Sequence, residues 1–244
     1  MLEKFQQRSY ELEHLDKGDY TPEEYEGCMV ELQRVNRWLG DTRALRNTLL
    51  KDIESEGLQS FSVLDVGAGS GELLRVIASW ANETKRTTRL VGLELNARSA
   101  KAIIEESREH PQITSARADA FSLPFKDEQF EYVICSLFTH HFRDPQVIEL
   151  LREMTRVARR RIFVIDLHRS AVAYLFFTTI ARLFLHNRLI REDGALSILR
   201  SFTPDELQRL ANEAKLKNAR VEQHFPSRLV LRAEPRSPSG RAPG

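Results

Sequence analysis

At 244 residues, with 41% hydrophobic and 29% charged side chains, the chain has the makeup of one globular α/β domain with additions, which excludes collagen-like, low-complexity and wholly disordered chains. Its 36 basic and 35 acidic residues nearly cancel to a net charge of +1, so no excess field draws in a polyanion and no nucleic-acid partner is expected. Cys28 and Cys135 lack CxxC spacing, suggest neither a disulfide framework nor a structural zinc site, and are expected as free buried thiols in a reducing cytoplasm.

The charged stretch from Met1 to Gly18 has no apolar core of the kind a secretory signal needs. Thr21-Pro-Glu-Glu24 reads as a capping box with proline at the first helical position, and Tyr25, Cys28, Leu32, Val35 and Leu39 continue at helical spacing until Gly40. Asp41 is expected to cap a second helix with Leu45, Leu49 and Ile53 on one face. Residues 1–58 thus form an N-terminal helical cap and residues 59–233 the main domain. From Ser62 short apolar runs alternate with helical periods, the signature of βαβ units and a doubly wound, mainly parallel sheet. Strands are predicted near 62–66, 90–94, 113–117, 130–136, 161–166, 218–224 and 227–232. Helices are predicted near 71–81, 97–109 and 146–158, the last capped by Asp144 with Pro145 at the first helical position, and a further helix opens at the capping box Thr203-Pro-Asp-Glu206. The insertion 168–200 is the least regular part, and its uncharged run Ser170 to Ala181 falls short of the ~20 residues of a membrane-spanning helix. The tail 234–244, with three prolines and two glycines, is expected to be disordered.

The strongest local signal is Val63-Leu-Asp-Val-Gly-Ala-Gly-Ser-Gly71, an apolar strand with an acid near its end, then glycines that let the backbone turn sharply beside a ligand. A dinucleotide fingerprint would need glycine at 72, where Glu72 instead sets a carboxylate against a pyrophosphate. A phosphate loop would need Lys-Ser or Lys-Thr, which is absent, so the loop suits a ligand without phosphates.

Asp65-Val-Gly-Ala-Gly-Ser-Gly71 resembles motif I of class I S-adenosylmethionine-dependent methyltransferases. Val91-Gly-Leu-Glu94 is similar to that family's second-strand acid for the ribose hydroxyls, and Arg117-Ala-Asp-Ala120 to the loop whose acid and neighbouring amide contact adenine. Phe130-Glu-Tyr-Val-Ile-Cys-Ser136 is similar to the fourth strand beside the methyl donor. The resemblance covers about residues 60–232 and points to the small-molecule branch, of ubiquinone/menaquinone type and polyketide-tailoring type. It implies a seven-stranded Rossmann-like sheet, S-adenosyl-L-methionine as cofactor, and Asp65, Gly67, Ala68, Gly69, Gly71, Glu94, Leu95, Asp119, Ala120 and Ser136 as the residues that bind it. Read from residue type alone, Glu94 is also a solvated strand-end acid, Asp119 a turn former, and Asp65 a cap or turn acid.

Where relatives that methylate macromolecules show an Asn/Asp-Pro-Pro-aromatic sequence, this chain has Cys135-Ser-Leu-Phe-Thr-His-His-Phe142, which shifts the expectation to a small-molecule acceptor. His140 and His141 are the candidate catalytic bases; as neighbours they are not expected to face the cleft together, and either could simply pack. The apolar run 171–185 either lines an acceptor pocket, the favoured reading, or rests on a membrane or a second subunit. Arg37, Trp38, His168 and Phe176 are candidate acceptor contacts, with Arg169 and Arg200 as further orienting groups; Tyr10, His14 and Tyr20 could close over the donor. The expectation is a cytoplasmic monomer or homodimer that methylates a phenol, hydroxyl or carboxylate oxygen of a small, largely apolar acceptor. The alternatives are carbon methylation of a quinone precursor, and a non-catalytic donor-binding subunit docking a partner protein.

Overall fold

Apolar alternation draws seven stretches into one sheet. In a computed structural model, which describes residues 3–21, 23–24, 27–28, 31, 40–181 and 185–235, these are β1 (Ser60–Val66), β2 (Thr87–Glu94), β3 (Ile113–Arg117), β4 (Phe130–Ser136), β5 (Ala158–Leu167), β6 (Lys217–His224) and β7 (Arg228–Glu234). Their order is β3-β2-β1-β4-β5-β7-β6, with β1 to β5 parallel and β7 antiparallel to both neighbours. The winding reverses between β1 and β4, and it is outside the carboxyl ends of strands at such a switch point that open α/β sheets bind ligands.

All seven predicted strands form, some longer than their apolar cores suggest. β5 starts at Ala158, ahead of the predicted 161–166, and Arg159, Arg160 and Arg161 at the sheet's end pair with Glu131, Glu56 and Asp52. The helices are α1 (His14–Lys17), α2 (Asp41–Leu45, a π turn Arg46–Leu50, then Lys51–Ser55), α3 (Glu72–Glu83) and α4 (Ala97–Glu106). They continue with α5 (Asp144–Val157), α6 (Ala171–Phe176, prolonged by a π turn Phe177–Ala181), α7 (Arg188–Arg200) and α8 (Pro204–Glu213).

Two expected caps shift by one residue: Gly40 and Arg143 occupy the cap positions, and Asp41 and Asp144 are the first helical residues, where a carboxylate still meets the positive end of the helix dipole. Both capping boxes close, through reciprocal hydrogen bonds between Thr21 and Glu24 and between Thr203 and Glu206. The sheet is covered on both faces. On one, Leu45, Leu49 and Ile53 of α2 pack with Ile77, Val63, Tyr132 and Phe163; on the other, Leu150 and Leu210 pack with Leu64, Val133 and Val164.

The insertion is more regular than its sequence suggests. In α7, Leu189, Ile190 and Ile198 pack with Phe177, Leu167 and Cys28, while buried Asp193 accepts hydrogen bonds from the His14 and Leu15 amides at the start of α1. The N-terminal segment and the insertion are thereby locked together. Cys28 and Cys135 are free and buried. Among the described residues no helix is long and apolar enough to cross a membrane. Residue 234 belongs to β7, and the tail beyond 235 lies outside the described residues.

Candidate active site

The bend after β1 is built from residues that only its geometry explains. Gly67 sits at φ 72°, and a Cβ there would meet the Phe138 ring at 2.7 Å, so glycine is required on both counts. The Gly67 and Ala68 amides donate to the Leu93 carbonyl, and the Gly69 amide donates to Glu94 Oε1 at 2.6 Å, tying the bend to the end of β2. Burial pushes the Glu94 carboxyl above its ordinary value, partly offset by the Gly69 and Leu95 amides.

Asp65, the last-but-one residue of β1, is 2% exposed, and its Oδ1 has no hydrogen-bond partner. Burial, then the nearby Glu94, push it up to about 8. A buried carboxyl with an open acceptor position, at the floor of a glycine bend, is suited to a ligand that brings a positive charge.

From this bend a cavity of about 780 Å³ extends under the insertion, within the roughly 300–1,000 Å³ of small-molecule sites. Asp65, Gly67, Ala68, Gly69 and Ser136 line its donor end. Leu167, Phe176, Phe177, Ile190 and Ile198 give the far wall its apolar character. Glu94, Leu95, Asp119 and Ala120 do not reach it; they stand at the carboxyl ends of β2 and β3, where Asp119 accepts a hydrogen bond from the Phe121 amide and Ala120 is buried.

Between the two ends both His140 and His141 line the cavity, contrary to the expectation for adjacent residues. The reason is local: Thr139–His141 form a 3-10 turn, which places successive side chains about a third of a turn apart, and the two rings lie 4.3 Å apart. His140 Nδ1 is 2.6 Å from Asp166 Oδ1, and Asp166 Oδ2 accepts from the His140 amide and from the Thr139 hydroxyl. Burial alone would raise Asp166, but the His140 ring, Thr139 and the Leu167 amide outweigh it and hold the carboxyl down to about 2. An ionised Asp166 accepts the Nδ1 proton and leaves the His140 lone pair on Nε2.

Other expectations are corrected. His168 bridges to Phe202 and its amide donates to the Ser227 carbonyl; it does not line the cavity, because the end of β5 is turned towards β7 there. Buried Arg169 holds the Phe5 and Ser201 carbonyls and Glu206. Arg200 holds the Glu11 and His141 carbonyls and Asp16, so both arginines brace the chain rather than meet an acceptor. Tyr10, His14 and Tyr20 are likewise away from the cavity: Tyr10 is exposed beside Arg143, His14 pairs with Asp19 and Glu192, and Tyr20 packs against the insertion. Arg37 and Trp38 lie outside the described residues.

Residue patterns missed Glu13, Asp193 and the buried Asp41–Arg228 pair in the cavity lining, and the role of Asp166 behind His140. Only Asp166 left a signal, since Phe163-Val-Ile-Asp166 repeats the apolar-strand-then-acid pattern of Val63-Leu-Asp65.

A family model described as a methyltransferase domain matches residues 63–161, from β1 to the start of β5. The uncharacterized methyltransferase YcgJ of Bacillus subtilis is 28% identical over 112 residues, 43% of this chain, and the match spans only 40% of that protein. The demethylmenaquinone methyltransferase of Bacillus licheniformis is 27% identical over 202 residues, covering 78% of this chain and 81% of that one. The magnesium protoporphyrin IX methyltransferase of Synechocystis PCC 6803, solved with bound SAH, has the same fold, with a TM-score of 0.58 at 15% identity over 81% of this chain and 84% of its own. Residues 63–161 thus match a methyltransferase domain, set in a fold shared with S-adenosylmethionine-dependent methyltransferases. The Synechocystis neighbour is also solved with bound SAM, a group that would, if bound here, supply an electrophilic methyl group on a sulfonium. The fit is consistent with the site: a donor carrying sulfonium and ammonium charges answers the unpartnered oxygen of Asp65.

Proposed function

We propose that this methyltransferase methylates an oxygen of a small, largely apolar acceptor, a phenol, hydroxyl or carboxylate, held between the glycine bend and the insertion. The observation that carries this reading is the continuity of one cavity from Asp65 and Gly69, past the His140–Asp166 pair, to the wall made by Phe176, Phe177, Ile190 and Ile198. In this reading Asp65, Gly67, Ala68, Gly69, Gly71 and Ser136 hold the amino-acid half of the cofactor, and Glu94, Leu95, Asp119 and Ala120 its nucleoside half. The bend and the cavity walls align the acceptor oxygen and exclude water, which is most of what a displacement reaction asks of a protein. His140 Nε2 takes the proton of a phenolic or alcoholic acceptor, the imidazolium being stabilised by Asp166; a carboxylate acceptor needs no base. His141 and Phe176 contact the acceptor.

The second reading, methylation at a carbon of a quinone precursor, is favoured by the 27% identity with a demethylmenaquinone methyltransferase over 78% of this chain. Incubating the enzyme with methyl-labelled cofactor and separate panels of phenols, carboxylic acids and quinols tests both. Base-stable label on phenols is expected; label on a ring carbon of quinols alone moves the conclusion to the second reading.

A further inference from the structure

The cavity floor carries a group of side chains that proton transfer by His140 does not use in full. One side-chain ligand atom from each of Glu13, His140 and His141 lies within 4.8 Å of the others, and Glu13 and His140 are buried. We propose that Glu13, His140 and His141 form a binding site for one divalent transition-metal ion of the zinc class, with an open coordination position facing the acceptor end of the cavity.

The donor set is two imidazoles and one carboxylate, which is the ligand chemistry of three-ligand zinc sites that keep a fourth position open. Each ligand is also oriented from behind. Asp166 holds His140 Nδ1 at 2.6 Å and leaves Nε2 as the ligand atom. Asp16 Oδ1 lies 3.3 Å from His141 Nδ1, near enough for an ion pair though misaligned for a hydrogen bond. The Ser197 hydroxyl donates to Glu13 Oε1 at 2.8 Å. Carboxylates behind histidines are the usual outer shell of metal sites.

Charge points the same way. Three carboxylates, Glu13, Asp16 and Asp166, surround the histidine pair and face one guanidinium, Arg200, at 2.6 Å from Asp16 and 3.8 Å from Glu13. Arg8, the other guanidinium nearby, pairs with Asp144 at 2.8 Å, which also holds Arg209 at 2.6 Å. This excess of carboxylates around the histidine pair suits a bound cation. A bound ion and a proton would compete for the same lone pair on His140, so metal loading and proton transfer by that ring exclude each other. Mg²⁺, which prefers an octahedron of oxygens, does not suit the site.

The test uses the full chain, stripped with a chelator and titrated with Co²⁺ followed by its visible absorption, with Zn²⁺ in competition and Mg²⁺ as control. One Co²⁺ per chain, displaced by Zn²⁺ but not by Mg²⁺, is expected, with affinity reduced at least about tenfold in the Glu13→Gln/His141→Ala double variant. Binding of S-adenosylhomocysteine, measured on the same samples, should be retained. No saturable Co²⁺ or Zn²⁺ binding, or equal affinity in the variant, overturns the proposal while leaving the cofactor site intact. Should circular dichroism show the double variant unfolded, Asp16→Asn serves instead: roughly 10–100-fold weaker metal binding supports the site, and unchanged binding overturns it.

Discussion

A carboxyl held near 8 inside a protein is a statement about stability as well as binding. Asp65 is raised in the fold, so the folded chain holds a proton that the unfolded chain has released, and between about 4 and 8 its stability falls as pH rises. Asp65→Asn should therefore make the cofactor-free chain more stable than the parent at pH 8 while weakening cofactor binding, as thermal melts and calorimetry would show. A parent no less stable than the variant at pH 8 would mean that the open oxygen is compensated. Asp166 has the opposite sign: its folded value of about 2 stabilises the fold above ordinary carboxylate pH, and that contribution is lost as pH falls towards 2. Behind His140 the same charge fixes the proton acceptor. His140→Ala should cut turnover on a phenolic acceptor by ~10²-fold or more with cofactor affinity nearly unchanged, and turnover kinetics beside calorimetry separate the two. Equal turnover would remove the acid–base role.

Among the elements, the close approach of α6 and α7 sets the shape of the acceptor end. A Cβ on Gly194 would meet the Phe177 ring at 2.2 Å, so α7 can lie against α6 only without a side chain there. Gly194→Ala should displace Phe177, cost about 1–3 kcal/mol as overpacking does, and raise KM for the acceptor more than Kd for the cofactor. If acceptor KM and chemical denaturation were both unchanged, Phe177 would not be part of the wall. Elements with one buried face were legible in the sequence: β1, β4 and the helix carrying Leu45, Leu49 and Ile53 follow from period alone. α7 was not, because Arg191, Glu192, Asp193 and Gly194 interrupt any single apolar stripe. Its Leu189, Ile190 and Asp193 are buried on different sides, against the insertion and against α1. The histidine pair was legible as chemistry but not as geometry, since a 3-10 turn of three residues leaves no periodicity to read.

At the scale of the whole molecule, the sheet order places the site, and the order was legible only through the glycine bend and its resemblance to a known motif. Contacts distant in sequence were not legible: Glu13 meets the histidines because α1 docks on α7, and nothing in residues 1–18 announces that partner. Exposed apolar side chains also line the cavity, with Val172 80%, Phe225 76% and Phe176 47% exposed. This suits entry of an apolar acceptor.

Calorimetric titration of S-adenosylhomocysteine into the parent and into Glu94→Gln probes the cofactor site between β1 and β2 most directly. One-to-one binding to the parent, roughly 10–100-fold weaker in the variant as for a lost charged hydrogen-bond acceptor, with no comparable binding of a nicotinamide dinucleotide, is the expected result. An absence of saturable binding, or an equal preference for the dinucleotide, would contradict the assignment of that bend to a sulfonium nucleoside.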